Sequence, residues 1–423
     1  MTSTRRDFLK TSLGAATLVS LGPTIPTFFS ATALADAAGR NSGETVLIVL
    51  QLAGGNDGLN AVVPFADDHY ARNRDTLRLK AGEVHKLDSL LGLHPRMEAF
   101  WRLFQDGRLG IVQGVGYPNP DGDHFRAMRN WQSARPHQIA CQTGWLGRAA
   151  DWAAQSNPSR TPAAYVGQIP RPFTLNAQQT VVPTVASVDA YALRWRGEPQ
   201  DAGALEQSLA STAQASRSES DNPLAGYLQK TTLSAYAARR RMEEVAAGRT
   251  ASRPGDYPSI ELAGSLRTIA QLIRADLGIR VFYTELGGPE PGGFDNHANQ
   301  RDNHAALLHQ LSESVAAFLH DLDRDKLADR VLLMTFSEFG RTLAENGRRG
   351  TGHGSAAPMF LVGGRVAGGL VGPHPRLDVL QNEGPPFHTD FRRVYATLLD
   401  RWLGFDSRAI LGEPFAAMDL LRS

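Results

Sequence analysis

Five short runs rich in Val, Ile, Leu and Phe recur along the chain, at Val46–Leu52, Leu109–Val115, Arg280–Thr284, Val331–Phe336 and Met359–Val362. Apolar runs of this length, bounded by turn residues and without polar alternation, suit strands buried on both faces. Helical patterns lie between them: 95–104, with Pro95 near its start, about 260–277, and about 300–323. Helix-then-strand alternation predicts βαβ units and a mostly parallel sheet flanked by helices. The composition permits such a core, since 42% of the 423 residues are hydrophobic, and excludes a collagen-like, coiled-coil or mainly disordered chain. Residues 200–255 break the alternation. They read as a helical insertion whose Arg239-Arg240-Arg241 is a solvated face rather than a phosphate patch.

Polar residues gather where these runs end. Asp57 follows the first in a Gly-rich turn, and Asp123 and His124 lie eight residues beyond the second. Asp295 and His297 follow the third, Ser337-Glu338-Phe339-Gly340-Arg341 closes the fourth, and His353 precedes the fifth. In an open parallel sheet the carboxyl ends of the strands share one edge, where ligands bind. Four carboxylates and three histidines would therefore converge. Grouped carboxylates repel unless a proton or cation intervenes. A divalent metal answers this: neutral His with Asp/Glu suits Zn²⁺ or Mn²⁺, and an all-oxygen set Mg²⁺ or Ca²⁺. Cys141 is the sole cysteine, so a multi-cysteine site is excluded. Plainer roles compete at several positions. Asp57 can shape its turn. Glu338 can be a helix-terminal carboxylate beside Ser337. Arg341 can pair with Glu345 or neutralise an anionic ligand, and His304, His309 and His320 read as surface or core residues of a long helix.

The first 35 residues read as an address. Thr4-Arg5-Arg6-Asp7-Phe8-Leu9-Lys10 resembles the twin-arginine signature, a mildly apolar stretch runs to Phe29, and small-x-small cleavage sites end at Ala33 and Ala35. Cleavage there changes the formal charge from +1 to −1. The expected partner in transit is the twin-arginine export machinery, and the expected location is periplasmic or secreted. No later stretch is apolar enough to span a membrane, and the near-neutral charge gives no field for nucleic acid.

The mature chain, roughly Thr45 to Gly404, resembles the exported bacterial family called domain of unknown function 1501. The resemblance rests on Gly54-Gly55-Asn56-Asp57-Gly58-Leu59-Asn60, Gly293-Phe294-Asp295-Asn296-His297, Ser337-Glu338-Phe339-Gly340-Arg341-Thr342 and Gly350-Thr351-Gly352-His353-Gly354. That family is grouped with the alkaline phosphatase and sulfatase superfamily. The resemblance implies an α/β, alkaline-phosphatase-like sandwich in a single domain over 45–405, with one or two metals at the carboxyl edge. It implies metal ligation by Asp57, Asp295, His297, Glu338 and His353. Two positions depart from the pattern. Asp123, before His124-Phe125, stands where a serine nucleophile is usual, so Asp123 and His124 become the candidate catalytic pair. Gly352 stands where the late motif usually has an acid, and Phe339 where a histidine is usual.

Two functions follow from this reading. One is a metal-dependent hydrolase of small phosphate or sulfate esters. The other is a non-catalytic protein that keeps the fold and binds an anionic or cell-envelope ligand. A redox enzyme is disfavoured, because no Gly-x-Gly-x-x-Gly fingerprint follows a strand.

Overall fold

In the computed structural model, residues 44–156, 162–167, 170–187, 256–288 and 293–422 are described. The twin-arginine segment at 1–35 and the helical insertion at 200–255 lie outside them. Among the described residues the centre is a nine-stranded sheet. Its strands are Val46–Leu52 (β1), Leu109–Gly116 (β2), Ala163–Val166 (β3), Thr184–Val185 (β4), Val281–Leu286 (β5), Val331–Phe336 (β6), Ala357–Gly363 (β7), Gly369–Val371 (β8) and Thr389–Asp390 (β9). The spatial order is β8-β2-β7-β6-β1-β5-β3-β4, with β9 also pairing on β2.

Strand β1 shows why the apolar runs are continuous. All seven of its residues are buried. Val46, Ile48, Leu50 and Leu52 enter one core layer, and Leu47 and Val49 enter the other. The first layer is closed by Glu98–Gln105 (α1), Glu261–Arg274 (α4) and Gln300–Arg324 (α5). The second is closed by His124–Ser133 (α2), Trp145–Ser156 (α3) and Phe391–Thr397 (α6). Helix α4 illustrates the fit. Leu262, Leu266, Ile269 and Ile273 recur at helical spacing on its buried face, while Glu261 and Arg274 complement the two ends of its dipole. Among the described residues no helix is long and apolar enough to cross a membrane.

The sheet is mostly parallel, with one consequential exception. β7 runs antiparallel to both neighbours, β2 and β6. It follows β6 through a short hairpin, Arg341–Glu345 against Thr351–His353, rather than through a helix. The residues before an antiparallel strand lie at the edge where its parallel neighbours end. His353, which precedes its strand, thereby reaches the same edge as Asp295, which follows its own.

Candidate functional site

The carboxyl ends of β1, β5 and β6 are drawn together by close backbone approach. Gly54 has φ +115°, and a Cβ there would stand 2.5 Å from the Asp295 nitrogen. Only glycine lets the β1 turn lie against the 294–295 backbone. Arg341, 1% exposed, locks that approach. Its Nε donates to Gly55 O (2.7 Å) and its Nη1 to Thr351 O (3.2 Å). Its Nη2 reaches Gly54 O, Phe294 O and, at 2.6 Å, Asp295 Oδ1. The sequence pairing of Arg341 with Glu345 is replaced by this one. Glu345 instead accepts the backbone N–H groups of Thr76 and Leu77.

Three imidazoles surround Asp295. His353 Nε2 and His297 Nε2 lie 3.1 and 3.0 Å from its Oδ1, and His124 Nε2 lies 3.4 Å from its Oδ2. His297 Nε2 and His353 Nε2 are 2.9 Å apart. Ligand atoms of His124, Asp295 and His353 all fall within 4.8 Å of one another. The far nitrogens fix the rings. His124 Nδ1 is 3.0 Å from Glu338 Oε1, and His353 Nδ1 is 2.7 Å from Gly122 O. Both partners only accept, so both Nδ1 atoms carry the proton. The two Nε2 atoms then face Asp295 either protonated or as lone pairs around a shared cation. A carboxylate behind a ring, as at Glu338–His124, is a common support for a metal-bound imidazole. The donor set therefore fits a divalent ion. Phe339 walls the site: its ring stacks on His353 at 4.4 Å between centroids and lies 4.9 Å from His124.

Electrostatics follow from these contacts. Burial pushes the Asp295 carboxyl up, but the hydrogen bond and charge of Arg341, with the imidazoles of His353 and His297, hold it well below the usual carboxylate range. The hydrogen bond that Glu338 accepts from His124 raises His124 above the ordinary histidine value, against the effect of burial.

At three sequence-derived positions, Asp57 and Glu338 among the ligand candidates and Asp123 of the catalytic pair, the carboxylate has other partners. Asp57 is 2% exposed, and both its oxygens meet Arg74, with Gln300 on Oδ2. Burial pushes its carboxyl up and Arg74 overcomes this, leaving it lowered. Glu338 lies behind His124, its Oε1 also accepting from Gly54 N at 2.9 Å. Asp123 is the N-cap of α2, its Oδ1 accepting from Arg126 N at 3.0 Å. The loss of an acid at 352 removes nothing from the cluster. A Cβ there would meet Thr342, since alternation along the hairpin strand turns 352 away from His353. Arg74 and Gln300 carry no motif that marks them in the sequence. Of the helical histidines, His304 is buried against Asn56 Oδ1 at 2.9 Å, and burial lowers it to about 4.

The profile of a family described as "Protein of unknown function (DUF1501)" matches residues 109–416. No curated protein matches the sequence. Among solved structures, the chain is similar to the zinc complex of the C-terminal periplasmic domain of EptC from Escherichia coli, at 10% identity and TM-score 0.35, over 77% of this chain and 74% of that one. It is also similar to the phosphonate monoester hydrolase of Agrobacterium radiobacter, at 9% identity and TM-score 0.35, over 89% and 79%. A third similarity is to the lipoteichoic acid synthase LtaP of Listeria monocytogenes, at 8% identity and TM-score 0.33, over 79% and 67%.

Proposed function

The chain belongs to the DUF1501 family of proteins of unknown function, and on that premise we propose that it is an exported, divalent-metal-dependent hydrolase of small phosphate or sulfate esters, periplasmic or secreted. One observation carries the reading: the Nε2 atoms of His124 and His353 converge on Asp295 while their Nδ1 protons are held by Glu338 and by Gly122 O. In this reading His124, Asp295 and His353 hold the ion. Such an ion, when bound, supplies positive charge for the transferred group and acidity for water.

The chain's own residues supply the rest. Arg341 fixes Asp295 and keeps it ionised. Glu338 fixes the tautomer of His124. His297, whose side chain is 34% exposed and whose Nε2 is within hydrogen-bond reach of Asp295, is the group placed to hand a proton to the leaving oxygen. Phe339 keeps water off one side of the imidazoles. Asp123 acts through its helix cap, by placing His124 at the first position of α2.

The test uses the full chain produced through its own export route. Metal content is measured, with turnover of aryl phosphate and aryl sulfate esters. The expected result is a bound divalent ion and turnover, both lost in His353→Ala, with turnover alone lost in His297→Ala. Metal-free protein that stays so after soaking in Zn²⁺ or Mn²⁺ overturns the reading. The alternative, a binding protein without turnover, has one observation behind it: the position expected to hold a serine is Asp123, whose carboxylate is occupied by the α2 cap. Metal with no turnover on either ester selects that alternative.

A further inference from the structure

We infer that this edge of the sheet takes one divalent ion and no second, because the guanidinium of Arg74 occupies the place beside Asp57 that another cation would need. The inference rests on the metal reading of the Asp295 cluster given above. Asp57 has the credentials of a ligand by position: it follows β1 at the carboxyl edge, one turn from Gly54, which touches Asp295. Its surroundings differ. Arg74 is fully buried, and all five of its N–H donors are taken: Nε by Leu343 O, Nη1 by Asp57 Oδ2 and Asn60 Oδ1, Nη2 by Asp57 Oδ1 and Thr342 O.

Both oxygens of Asp57 are occupied in turn. Gln300 Nε2 donates to Oδ2 beside Arg74, and Gln300 is itself held through Oε1 by Thr351 Oγ1 at 2.6 Å. An arginine cannot deprotonate inside a protein, so its charge is permanent and cannot be traded for an ion as pH or metal supply changes. Displacing it would leave a buried cation facing two carbonyls and one amide oxygen. Arg74 is thus a positioning residue. It neutralises Asp57 and ties the β1 turn to the 342–343 segment that leads into the His353 hairpin.

The experiment counts ions. Full-length protein is titrated with Zn²⁺ and, separately, Mn²⁺, and the bound equivalents are read by native mass spectrometry, with a thermal melt to verify folding. The wild type is expected to bind one equivalent. Asp57→Asn, which keeps the side chain's shape, is expected to retain that equivalent with its affinity within about threefold, whereas Asp295→Asn loses it. Arg74→Met, if folded, is expected to gain a second, weaker equivalent. Two equivalents in the wild type, or loss of the ion in folded Asp57→Asn, overturn the inference and leave the metal reading standing. No ion in the wild type overturns the metal reading itself.

Discussion

Asp57 and Asp295 stand at the same edge of one sheet, each paired with an arginine that is almost wholly buried. They differ in what else can reach them. Asp57 is closed, with Arg74 on both oxygens and Gln300 on Oδ2. Asp295 gives one oxygen to Arg341 and keeps 17% of its side chain exposed among three imidazoles. The contrast teaches that an aspartate's place after a strand does not decide its chemistry. A fully forked guanidinium makes a structural pair, and a guanidinium giving one N–H leaves a site.

The sharpest way to break this contrast is Asp295→Asn. We expect loss of the ion and a fall in turnover of about 100- to 10,000-fold in protein that still folds, with a lowered melting temperature because the buried Arg341 loses its charge partner. A comparable loss from Asp57→Asn would erase the distinction. Next is stability. Arg74→Met strands a buried carboxylate and should cost about 3–5 kcal/mol in denaturant unfolding. A cost under about 1 kcal/mol would show that the pair is not what closes this side. Glu338→Gln should lower metal affinity about 10- to 100-fold while leaving one equivalent bound at saturation, because it weakens support for His124 rather than removing a ligand.

A third carboxyl extends the comparison. Glu285 is held by Tyr165 and Gln51 rather than by an arginine, and burial, aided by the charge of Glu338, raises it to about 7. A raised acid binds more protons in the native state. The stability it contributes is therefore full below the unfolded carboxyl range and is lost as pH rises through about 7. Glu285→Gln should match the wild type near pH 4 and exceed it above pH 7.5, by on the order of 2 kcal/mol. The smallest effect is expected at Asp123. Asp123→Ala removes a cap worth about 1 kcal/mol and should leave bound metal unchanged.

The sheet and the open half of the edge were legible in the sequence. Apolar runs double-buried in the structure are continuous in the sequence for that reason, and Asp295, His297 and His353 stood out because ligand types in Gly-rich loops have little packing to do. The closed half was not legible. Arg74 lies in Arg72-Asn73-Arg74-Asp75, a stretch that reads as surface, and only tertiary folding turns one of its charges inward. Asp123 reads as chemistry in the sequence because the bond that makes it a cap goes to a backbone atom, Arg126 N. The reversed direction of β7 was hidden too, since an apolar run carries no arrow.

The buried Arg74 bears finally on the order of events. Its charge arrives with the polypeptide, so Asp57 is balanced the moment the chain folds. Asp295 has Arg341 from the same moment, and the ion proposed above would add only the joining of its imidazoles. Assembly is thereby separated from loading. On the metal reading proposed above, a chelator should therefore empty the site without taking the fold apart.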